Sequence, residues 1–86
     1  MQDPIVADEA PLWAYDSTVQ QAVGVLVLGL RLSPPEAMVN LERAAIRNQT
    51  HLGNLARTIV DMASAQDIPP RRLQEIATAE WGEFFL

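Results

Sequence analysis

Apolar residues recur at helical spacing along four stretches of the chain. In the first, Val19, Ala22, Val23, Leu26 and Leu30 fall on one stripe, the spacing of an amphipathic helix. Asp16 and Ser17 are both good N-caps, so the helix is expected to begin after one of them and to run to about Leu30. Val25, Val27 and Leu28 lie off the stripe and make the second half apolar nearly all round. Period alone leaves a buried strand open, because Val23, Val25 and Val27 are β-branched. The length of the segment, its cap and the helical or turn-like sequence on either side favour a helix.

The second stretch has the clearest local signal. Ser33-Pro34-Pro35-Glu36 is a capping box with proline at the first helical position. Ala37, Met38, Leu41, Ala44 and Ala45 then form an apolar face, with Asn40, Glu42, Arg43 and Arg47 opposite. Asn48-Gln49-Thr50 breaks the pattern, and Thr50 reads as a cap for the next helix. In the third stretch Leu52, Leu55, Ala56, Ile59, Val60 and Ala63 make the core face. Asp67-Ile68-Pro69-Pro70 stops it and opens a fourth helix over about Pro70 to Trp81, striped by Leu73, Ile76, Ala77 and Trp81. Connections this short make successive helices neighbours in space. The expected fold is all-α: a small three-helix bundle over residues 17–66, with a fourth, C-terminal helix and an aromatic tail over 67–86. Residues 1–16, with Pro4, Pro11 and four acids, read as an extended arm. Its apolar Leu12 and Trp13 either dock onto the body or fray with the terminus.

Composition narrows the chemistry. The 86 residues fit one small domain, and 49% of them are apolar, rich for a domain with so much surface. Cysteine is absent and His51 is the one histidine. His51 has no nucleophile or orienting partner in view, and the carboxylates show no metal-ligand spacing. No catalytic residue, metal or cofactor is expected, and the chain does not read as an enzyme. The longest apolar run, Ala22 to Leu30, is too short to cross a bilayer. No signal peptide is visible, so a cytoplasmic location and no membrane partner are the expectation. The net charge is −5 and every basic residue is arginine. An acidic chain lowers the expectation of nucleic-acid binding, although a local patch can differ from the sum.

The order and spacing of the helix motifs point to a family. Gln21-Ala22-x-Gly24-Val25-Leu26, then Leu32-Ser33-x-x-Glu36-Ala37, then Leu41, then Leu52-x-x-Leu55-Ala56-x-x-Ile59-Val60 resembles the ANTAR domain over roughly Val19 to Val60. The resemblance implies a three-helix output domain that binds hairpin RNA in nascent transcripts and promotes antitermination. It carries Ala22, Gly24 and Arg43 over as RNA-contact candidates, and Arg47, one turn on from Arg43, joins them as a source of charge. The chain departs from the family pattern at Val23 and Glu42, where the family commonly has basic residues, and at Gly29, Gln49 and His51.

Those departures open a second reading. Each lost phosphate contact lowers affinity, and a helix that is apolar all round is normally covered. On this reading the scaffold has lost RNA binding and serves as a protein-interaction or dimerisation module, with Val25, Leu28, Trp81, Phe84 and Phe85 as interface candidates and a homodimer or protein partner expected. Gly24 is read as a place of close approach, by RNA or by another helix, against simple tolerance of a glycine. Arg43 and Arg47 are read either as a basic patch, with Arg57 beside them, or as a solvated face. The aromatic residues Trp81, Phe84 and Phe85 either pack back onto the chain or form a partner surface.

Overall fold

A computed structural model describes residues 16–65 and 67–85, the last three of these by backbone alone. The expectations for the arm, Leu12 and Trp13 included, and for the side chains of Phe84 and Phe85 lie outside the described residues. Within them the chain is all-α. Four helices follow in order: α1 (Ser17–Leu30), α2 (Pro34–Arg47), α3 (Leu52–Ser64) and α4 (Arg71–Phe85). No strand occurs among the described residues, so the β-branched run in α1 forms a helix.

Local chemistry sets the ends. The Asp16 carboxylate accepts from the Thr18 N–H at 2.7 Å, capping α1. The Ser33–Glu36 box forms in full: the Ser33 N–H donates to Glu36 Oε1 at 2.9 Å and the Glu36 N–H to Ser33 Oγ at 3.3 Å. It bonds two of the amides that a helix start leaves without partners. Thr50 is not the cap of α3. That position belongs to His51, whose side chain makes no capping bond, while the Thr50 N–H returns to the Ala45 carbonyl at 3.0 Å. Arg31, Gln49 and Ala65 turn the chain with φ of 58°, 52° and 56°, a left-handed conformation that glycine adopts more cheaply.

The core is built where the stripes meet. Val19, Ala22, Val23 and Leu26 of α1 pack with Ala37, Leu41, Ala44 and Ala45 of α2 and Leu55, Ala56 and Ile59 of α3. The chain bends by 107° between α1 and α2, and α1 runs against both α2 and α3. On α3 the periodicity is slightly off: Ala63 is exposed, while Thr58 and Asp61 are buried. The Thr58 hydroxyl is satisfied within the helix, donating to the Asn54 carbonyl at 2.9 Å.

Helix α4 packs on α3 and adds Ile76, Ala77 and Trp81 to the same core. It breaks at Trp81, whose φ of −136° and ψ of 29° are not helical. The sequence places the end of the helix at that residue, and a further turn of backbone comes after the break. Trp81, read from sequence either as packing back onto the chain or as an interface residue, is 5% exposed and packs in the chain's own core, the first of those alternatives, which removes it from the interface candidates. No single helix among the described residues is long and apolar enough to cross a membrane.

Candidate nucleic-acid interface

The four residues proposed from sequence as RNA contacts separate in the structure. Ala22 is fully buried. Its methyl group packs the core, and it offers no surface to a ligand, which corrects the expectation placed on it. Gly24, two residues on, is exposed. A Cβ built there would meet nothing within 4 Å, so no other helix of the described chain makes a close approach at this point. Gln21 and Leu28 flank it at helical spacing on the exposed side of α1, and Leu28 is 83% exposed. Val25 is half-buried and packs against the core, less available as an interface residue than Leu28. Helix α1 carries no charged residue from end to end.

Arg43 and Arg47 come together on α2. They line one open concavity of about 500 Å³ with Leu32, Pro35, Glu36, Val39 and Asn40. Positions 36, 40, 43 and 47 succeed one another at three- and four-residue steps, which stacks them along one side of a helix. Val39 is 41% exposed and gives the concavity an apolar patch beside its charge.

The two arginines differ in what they touch. Among the described residues Arg43 is exposed and forms no ion pair. Arg47 is held by α4. Its Nε donates to Glu80 Oε2 at 3.0 Å and its Nη2 to Glu80 Oε1, two parallel bonds that make the pair bidentate. Asn48 Nδ2 adds a third bond to Glu80 Oε2 at 2.9 Å and also reaches the Ala44 carbonyl. These bonds, those from Arg47 first, hold the Glu80 carboxyl below its ordinary pKa while burial opposes them. The next residue, Trp81, donates its indole N–H to Asn40 Oδ1 at 2.7 Å. The end of α4 is thereby pinned to the side of α2 that lines the concavity, at Asn40 and at Arg47.

Sequence reasoning did not find Glu80 or the role of Asn40. Glu80 is 33 residues from Arg47 along the chain, and no local spacing relates them. The other arginines sit apart: Arg71 pairs with Glu75 on its own helix at 3.2 Å, and Arg72 donates to the Asn48 carbonyl. Arg57 does not line this concavity and borders another, with Asp16, Thr18, Gly53 and Asn54.

Comparison with protein-family models, with curated proteins and with solved structures gives no match.

Proposed function

We propose that this chain is an RNA-binding regulator of ANTAR type that acts in transcription antitermination. Gly24 carries the reading. A glycine inside a helix costs about 1 kcal/mol relative to alanine. Nothing in the packing asks for one here, since a methyl group would meet open space. An external surface that lies close against α1 supplies the reason, and an RNA backbone or base is such a surface. Gln21 beside it offers hydrogen bonding, and the α2 concavity offers Arg43 as a cation for a phosphate. Gly53 is equally open, but it lies in the first turn of α3, where few helical bonds depend on it.

A gel-shift titration with paired-hairpin RNA at low salt tests this. Hairpin binding clearly tighter than binding to a scrambled RNA is the expected result. Equal binding to the two would overturn it. The number of phosphate contacts is given by the slope of affinity against salt, and one or two are expected from so few free arginines.

Leu28 favours a second reading, in which the scaffold is a protein-interaction or dimerisation module. A leucine 83% exposed on an uncharged helix suits an apolar partner. Sedimentation separates the two: a dimer at micromolar concentration that Leu28→Glu dissociates supports this module, and a folded monomer speaks against self-association.

A further inference from the structure

Of the two arginines that line the α2 concavity, one is already engaged from within the chain. We propose that the end of α4 is an autoinhibitory contact, in which Glu80 occupies the guanidinium of Arg47 that an RNA phosphate would otherwise take. This rests on the RNA-binding reading and names the regulation of that same surface.

The geometry is that of a competitor. Glu80 takes the Nε and Nη2 positions of Arg47 together, the edge through which a guanidinium binds carboxylate or phosphate in a bidentate way. Its negative charge also lies where a phosphate on Arg47 would come, and like charges at that distance repel. The Arg47 side chain remains 58% exposed, whereas that of Glu80 is 17% exposed. The cation therefore reaches solvent and the carboxylate beneath it is mostly covered. Asn48 fastens Glu80 to the C-terminal end of α2, and the Trp81–Asn40 bond holds the adjoining residue. The latch thus belongs to a defined part of the chain, the last turn of α4 before its break at Trp81. A partner or signal that turns the Glu80 side chain off Arg47, with Trp81 left in the core, would release Arg47 beside Arg43 and double the number of unpaired guanidiniums in the concavity.

The test measures hairpin-RNA affinity against salt for the full chain and four variants. Glu80→Gln removes the competing charge and keeps the shape. It is expected to raise affinity about three- to tenfold at low salt and to steepen the log–log slope by about 0.7–0.9, the mark of one added phosphate contact. Glu75→Gln makes the same change of net charge on the Arg71 side of α4 and is expected to leave the slope unchanged. In the unaltered background Arg43→Ala should weaken binding markedly and Arg47→Ala hardly at all, a comparison that does not need Glu80→Gln to fold normally. A gain from Glu80→Gln no greater than from Glu75→Gln overturns the proposal, as does equal weakening by Arg43→Ala and Arg47→Ala. If the unaltered chain and the Glu80→Gln variant both fail to distinguish hairpin from scrambled RNA, the RNA reading itself falls, and the latch as a regulator of it.

Discussion

Glycine and left-handed backbone are mismatched in this chain, and the mismatch separates folding from function one residue at a time. Among the described residues the positive φ values fall on Arg31, Gln49 and Ala65, whereas Gly24 lies in a helix with open space over its Cα. Ala65→Gly is therefore expected to stabilise the fold by about 0.5–1 kcal/mol, because it removes the steric cost of a left-handed alanine. Gly24→Ala is expected to stabilise by a similar amount, about 0.5–1 kcal/mol, through helix propensity. The two variants part company in binding. Ala65→Gly should leave RNA affinity unchanged, while a methyl group at position 24 should reduce it severalfold by holding the ligand off α1. Thermal melts paired with gel shifts read both effects. A Gly24→Ala protein that is more stable and binds equally well would remove close approach as the reason for the glycine.

At the scale of the helix, legibility depended on how local the cause was. The start of α2 could be read in full, since Ser33, the prolines and Glu36 act within one turn. The buried faces of α1 and α2 could be taken from spacing alone, and so could most of α3. Spacing failed at Ala63 and Asp61, because which neighbour covers the last turns of α3 is a tertiary matter. It failed in the same way for the site. Arg43 and Arg47 look equivalent four residues apart, and only the arrival of α4 makes one of them a partner of Glu80. Two carboxyls make these contacts responsive to acid. Glu36 is held below its ordinary pKa of 4.5, chiefly by the Ser33 backbone N–H, with the Ser33 side chain adding, and Glu80 is held low by Arg47. A carboxyl depressed on folding binds its proton more readily in the unfolded chain. Its stabilisation is complete above the ordinary value and is lost as pH falls below it. Denaturant titrations from pH 7 to pH 3 should show stability declining below about pH 4.5, with a shallower decline in Glu36→Gln and in Glu80→Gln. An unchanged acid limb in both variants would mean that neither contact contributes to stability.

For the molecule as a whole, the question is where the folding unit ends. The sequence divides at residue 66, with a three-helix unit before it and a helix and tail after it. The core does not respect that division. Ile76, Ala77 and Trp81 of α4 are buried in the same cluster as the apolar faces of α1, α2 and α3, and the Trp81 indole is tied to Asn40 on α2. Loss of a buried tryptophan side chain alone costs about 3–5 kcal/mol, a large share of the roughly 5–15 kcal/mol typical of a whole domain. A small domain has little reserve to absorb such a loss. A chain ending at residue 65 is therefore expected to unfold at a much lower temperature than the full chain, with a broad transition or none. Trp81→Phe in the full chain should cost less, about 1 kcal/mol of hydrogen bonding plus the smaller ring, and should stay cooperative. Circular dichroism melts of the three proteins decide the matter. A shortened chain that melts as sharply and as high as the full one would show that α4 is an appendage, held to α2 for the sake of Arg47 and not for the sake of the core.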